Sequence, residues 1–134
     1  MNDKDIHYLE VIGENCEKIS EAVNRFGKSY ETFRDDNVYY DSVLMNIFQI
    51  GELVNKLSDS AHTVLDEYIE GYKIVAVRNR IAHAYDDVDR SVIWDIVINH
   101  IPLLKTFCTK HVVQNAHLLS PIDIDLIRAN TSDM

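Results

Sequence analysis

Arg78, Asn79, Arg80, His83 and Tyr85 stand close together in the segment Arg78-Asn79-Arg80-Ile81-Ala82-His83-Ala84-Tyr85. An arginine offers a permanently charged planar fork that grips phosphate oxygens. A histidine titrates near neutral pH and passes a proton to or from a hydroxyl or a leaving oxygen. RNA brings its own nucleophile, the 2′-hydroxyl, so such a set could cleave a phosphodiester with no metal and no nucleophilic side chain. The spacing sets a condition on this chemistry. On an unbroken helix, residues five apart lie about 140° apart around the axis. Arg78 and His83 then fall on different faces, whereas Asn79 and His83, four apart, share one. Either the helix unwinds near His83, or two copies of the segment meet across a two-fold interface that doubles every group. By residue type alone, a structural role for the same side chains stays open.

The chain around this segment is acidic, with 13 basic and 22 acidic residues and a net charge of −9. Such a surface repels nucleic-acid backbones at long range, which excludes a protein that coats nucleic acid generally. Gly71 to Tyr85, however, contains Lys73, Arg78 and Arg80 and neither Asp nor Glu, and so reads as a local positive island. The six histidines include no HExxH-type pair, and no Glu is followed by His three residues later, as a di-iron bundle would require. No metal and no cofactor is therefore expected. Cys16 and Cys108 fall on apolar helical faces and read as reduced core residues.

The elements that must position the segment are helical. At 134 residues and 46% hydrophobic, the chain is long and apolar enough for one folded domain. Leu9, Ile12, Cys16, Ile19, Val23 and Phe26 recur at spacings of three and four, giving a helix over about Asp5 to Phe26 that Gly27 ends. A second helix runs from about Val38 to Leu57, with Asp36 or Asn37 as its cap. Gly51 inside it calls for a close crossing by another backbone. Glu52 with Gln49 and Asn55 could form a polar cluster near the motif, although a solvated helix face is the favoured reading of these residues. A short helix over Ala61 to Glu67 precedes one that begins near Glu70 and ends close to His83. The last long helix covers about Asp89 to His111, and Pro102 should kink it or start a new segment. Residues 1–113 make the helical domain. Gln114 to Met134 reads as a short helix or an arm reaching over a partner. No apolar run is long enough to span a bilayer, and the polar N-terminus lacks a signal-peptide core, so a cytoplasmic location without membrane contact is expected.

Three stretches in order carry a family resemblance. Arg78-x4-His83-x-Tyr85, with Asn79 directly after the arginine, resembles the signature of the HepT-like toxins of the HEPN superfamily. Gln49 to Ser58 resembles that family's second-helix segment, and Trp94 to Lys105 its last long helix. Together the match spans most of residues 4–110. The resemblance implies an all-α, up-and-down HEPN-like bundle of four to five main helices that forms a homodimer. It implies a metal-independent ribonuclease toxin with RNA as substrate. It further implies a cognate antitoxin, a minimal nucleotidyltransferase that silences the toxin by adding AMP to the motif tyrosine. Arg78 and His83 then correspond to the catalytic pair, Asn79 and Arg80 to auxiliary residues, and Tyr85 to the modified residue. The alternative is a catalytically inert helical dimer that binds such a nucleotidyltransferase.

Overall fold

Two long helices with apolar stripes form the centre of the molecule. In the computed structural model, which describes residues 1–115, α1 spans Asp3–Phe26. Its start is fixed by a reciprocal cap: Asn2 Oδ1 accepts from the Asp5 amide at 2.8 Å, and the Asp5 carboxylate accepts from the Asn2 amide at 3.1 Å. Ile6, Leu9, Ile12, Cys16 and Ile19 are buried along it. The stripe therefore starts one turn earlier than its periodicity alone suggests, because the Asn2 cap lies outside the apolar pattern. Gly27, at φ +113°, closes the helix where the chain must turn in a conformation that side chains disfavour.

Ser29 caps a short α2, Tyr30–Asp35, and Asp36 caps α3, Asn37–Lys56, by accepting from the Val38 and Tyr39 amides. Val43, Leu44, Ile47, Ile50 and Val54 bury one face of α3. Tyr39 and Tyr40, at its start, are buried packing residues, as their place on an amphipathic helix predicts. Ser58 caps α4, Asp59–Asp66, and both its amide and its hydroxyl donate to the buried Asp5 carboxylate, at 2.9 and 2.6 Å. α5 covers Gly71–Ala84 and is followed by a single tight turn, Tyr85–Asp87.

The final helical run begins with α6, Arg90–Asp95, capped by Asp89. It widens over residues 96–100, where the Ile101 amide reaches back five residues to the Ile96 carbonyl. It continues as α7, Ile101–Gln114, with Pro102 in the first turn. Proline has no amide hydrogen to give, so the ladder adjusts just before it and a new segment starts there. The expected tail beyond α7 lies outside the described residues.

α1 packs against α3 on one side and α7 on the other, and α5 lies on α3. The result is an all-α helical bundle. Cys16 and Cys108 are buried and unbridged, and burial pushes the Cys16 thiol up to about 12. Among the described residues, no helix is long and apolar enough to cross a membrane.

The contact between α3 and α5 depends on Gly51. A Cβ at that position would overlap the Cβ of Arg78 and lie 3.0 Å from Arg78 Cγ and 3.2 Å from the Ile74 carbonyl oxygen. The crossing that a glycine inside a helix calls for is therefore made by the segment that carries Arg78. A Gly→Ala change in a helix interior ordinarily adds about 1 kcal/mol of stability. Here overpacking of backbone against backbone should win, costing about 1–3 kcal/mol. Gly51→Ala is expected to lower the midpoint of urea unfolding; a raised midpoint would show that the crossing is looser than described.

Candidate active site

α5 places its polar residues on two different faces. Ile74 and Ile81 are buried against α3, and Arg78 falls between them in the same stripe. A charged side chain in such a stripe needs a partner from the opposing helix. Glu52 supplies it: Arg78 Nε donates to Glu52 Oε1, and Nη2 pairs with the same oxygen. Arg78 Nη1 donates to Asn79 Oδ1 at 2.9 Å, and the guanidinium lies 5.5 Å from the centre of the Phe48 ring. A guanidinium carries five N–H groups, so its outer edge keeps donors for an anion.

His83 lies on the other side. α5 stays helical through Ala84, so the five-residue spacing keeps His83 about 140° away from Arg78. His83 is exposed and has no hydrogen-bond partner among the described residues. The unwinding that would join the pair within one chain does not occur. Tyr72, Ala76, Asn79 and His83, spaced four, three and four apart, form an exposed stripe along α5. Asn79 stands at the junction, one turn before His83 and hydrogen-bonded to Arg78.

The positive island disappears in three dimensions. Lys73 pairs with Glu70, Arg78 with Glu52, and Arg80 with Asp87 at 2.7 Å. Every carboxylate comes from outside the acid-free segment, so the expected local excess of positive charge is cancelled. Arg80 is thereby turned toward the loop after α5. Of the polar face on α3, Glu52 is the member that reaches the motif, while Gln49 and Asn55 remain exposed. The favoured reading of a solvated face thus holds for Gln49 and Asn55, whereas for Glu52 the alternative, a polar contact near the motif, is the one found. The usable signal was Arg78 standing in a buried stripe opposite a glycine whose next residue is an acid.

Tyr85 opens the turn after α5 and is 56% exposed. Its hydroxyl donates to Asp41 Oδ1, on α3, at 3.3 Å. The negative charge of Asp41, with some desolvation, raises the phenol above its ordinary value. Past the turn, Arg90 lies 3.9 Å over the Tyr40 ring and donates to the Arg34 carbonyl at 2.6 Å and to Asn37 Oδ1 at 3.1 Å.

Residues 12–111, which contain all of these groups, match the family model described as "Ribonuclease HepT-like". The chain belongs to the HepT-like ribonuclease family. It is 30% identical over 98 residues to a protein named as a candidate RNase from Caldanaerobacter subterraneus subsp. tengcongensis, covering 73% of this chain and 85% of that one. It is 28% identical over 105 residues to a protein named as a candidate RNase from Methanocaldococcus jannaschii, covering 76% and 83%. No solved structure gives a significant match. This HepT-like chain is thus a ribonuclease by family, and RNA is its substrate class.

The Tyr85–Asp41 contact has a direct spectroscopic consequence. Asp41→Asn removes the charge that disfavours the phenolate, so the Tyr85 titration midpoint should fall back toward 10.0. NMR of ring-labelled tyrosine against pH reads this shift. An unchanged midpoint would mean that the two side chains do not meet in solution.

Proposed function

We propose that this HepT-like ribonuclease is the toxin of a toxin–antitoxin pair and that it cleaves RNA in a cleft shared by two copies of the chain. The observation that carries the reading is the split of the motif: Arg78 is fixed against α3 by Glu52, while His83 faces outward from the same unbroken helix. Neither side chain can complete the site within one chain. A two-fold contact along the exposed α5 stripe would set His83 of one copy against Arg78 of the other, twice over. Ala76 and Asn79 in the middle of that stripe are small enough for two helices to approach closely, and the exposed Tyr72 supplies apolar area.

In such a cleft, His83 takes the proton of the 2′-hydroxyl as that oxygen attacks the adjacent phosphorus. The P–O bond to the 5′-oxygen of the next nucleotide breaks, and that leaving oxygen takes up a proton from the now protonated His83 or from solvent water. The outer N–H groups of Arg78 stabilise the charge growing on the phosphorane oxygens. Glu52 and Asn79 hold the guanidinium in place, so they position rather than react. The balanced charge around α5 means that affinity rests on these few oriented donors and not on a broad positive surface. The product is a 2′,3′-cyclic phosphate.

Silencing by AMP addition to Tyr85 fits the same cleft. The tyrosine stands two residues after His83, exposed, at the turn where α5 ends. Its nucleotidyl group would obstruct the entrance by bulk. Capture of the added phosphate by a positive island contributes little, since Lys73, Arg78 and Arg80 are already paired. The antitoxin that performs the transfer is a minimal nucleotidyltransferase, and the whole exchange takes place in the cytoplasm.

His83→Ala and Arg78→Ala should each abolish RNA cleavage and growth arrest without loss of helical signal, because neither residue fills the apolar core. Cleavage by wild type should persist in EDTA, and light scattering should give a dimer at micromolar concentration. A monomer, a dependence on divalent metal, or full activity of His83→Ala would each contradict the reading.

A further inference from the structure

We propose that Asp41 is the residue that orients Tyr85 and accepts its proton when the tyrosine is nucleotidylated. The proposal rests on the reading that Tyr85 is the modified residue. All seven tyrosines of the chain lie among the described residues. Tyr85 is the one whose hydroxyl donates to a carboxylate. Tyr39 donates to the Gly27 carbonyl, and Tyr68 accepts from Lys110. Tyr72 is the more exposed, at 66%, on α5 and only thirteen residues earlier, yet no carboxylate holds its hydroxyl. Exposure therefore does not distinguish Tyr85 from Tyr72, whereas the Asp41 contact does.

The contact is held from both sides. α5, locked on α3 at Gly51, fixes the chain before the turn. Arg90, stacked on Tyr40 and bonded to Arg34 and Asn37, fixes it after the turn, against the start of α3. Asp41 lies on the next turn of that same helix. The hydroxyl is thus presented in one orientation and not sampled by a free side chain.

A neutral phenol is a weak nucleophile, and this one gives up its proton less readily than usual. The step needs a base at the moment of attack. Tyr85 Oη forms a bond to the α-phosphorus of a nucleoside triphosphate brought by the transferase. The phosphoanhydride bond between the α- and β-phosphates breaks, pyrophosphate leaves, and the phenolic proton passes to the Asp41 carboxylate. Once Tyr85 carries the nucleotidyl group, its oxygen can no longer donate. The phosphodiester then bears negative charge beside Asp41 and Asp86, so the adduct swings away from α3, toward the His83 side of the turn.

The test is a single-turnover assay with the full chain, ATP labelled at the α-phosphate, magnesium, and a minimal nucleotidyltransferase of the antitoxin class proposed above. Labelled positions are mapped by mass spectrometry, and RNA cleavage is measured on the same preparations. Asp41→Asn should slow labelling of Tyr85 by about tenfold or more, Asp41→Glu should restore much of the rate, and both should cleave RNA as wild type does. Wild type labelled at Tyr85 with Asp41→Asn labelled equally fast overturns the role of Asp41 alone. Failure of Glu to recover what Asn removes also overturns it, since the loss is then structural. Wild type with no label on Tyr85 overturns the parent reading and this proposal together.

Discussion

The crossing of α5 over α3 at Gly51 is the contact on which the site depends. It brings the stem of Arg78 onto the backbone of α3, and that closeness lets Glu52, the next residue, take the guanidinium. The pair is only half-buried, so its own contribution to stability is modest, about 1 kcal/mol. Its larger effect is geometric. A long flexible side chain is held in one place by a carboxylate, an amide and an aromatic ring, at the cost of positive charge that would otherwise attract RNA from a distance.

From that anchor the remaining geometry follows. Because α5 continues unbroken to Ala84, fixing Arg78 inward forces Asn79 and His83 outward. The helix then stops, and the turn at Tyr85–Asp87 returns the chain to the start of α3, where Asp41 receives Tyr85 and Asn37 receives Arg90. α5 and the turn after it therefore present Arg78 inward, His83 outward and Tyr85 beyond the helix end, in three directions. Within one copy, Arg78 and His83 stay apart.

Much of this was legible in the sequence. The stripe of α1, a cap of α3 at Asp36 or Asn37, the break at Pro102 and the end of α5 near His83 all follow from periodicity and local backbone chemistry. These act over three to five residues, which is the range that spacing reports. The demand for a close crossing at Gly51 was equally legible, since a glycine inside a helix is costly unless something uses the space. What spacing could not report was charge arriving from elsewhere in the fold. The acid-free stretch from Gly71 to Tyr85 is neutralised by Glu70, Glu52 and Asp87, the first just before it, the second from another helix and the third from the turn beyond. The Asp41–Tyr85 contact joins residues 44 positions apart and leaves no trace in either local pattern. The family resemblance pointed to Arg78, His83 and Tyr85, and the folded chain adds what holds Arg78 and Tyr85.

The central claim, that each cleft combines Arg78 of one copy with His83 of another, is tested most directly by mixing two inactive variants. Arg78→Ala and His83→Ala chains, unfolded and refolded together, form mixed dimers in which one cleft has lost both groups and the other keeps both. RNA cleavage should reappear in the mixture, although neither variant cleaves alone, and should rise with the fraction of mixed dimers. If mixed dimers form and remain as inactive as the parents, the site is not shared in this way and the account is wrong.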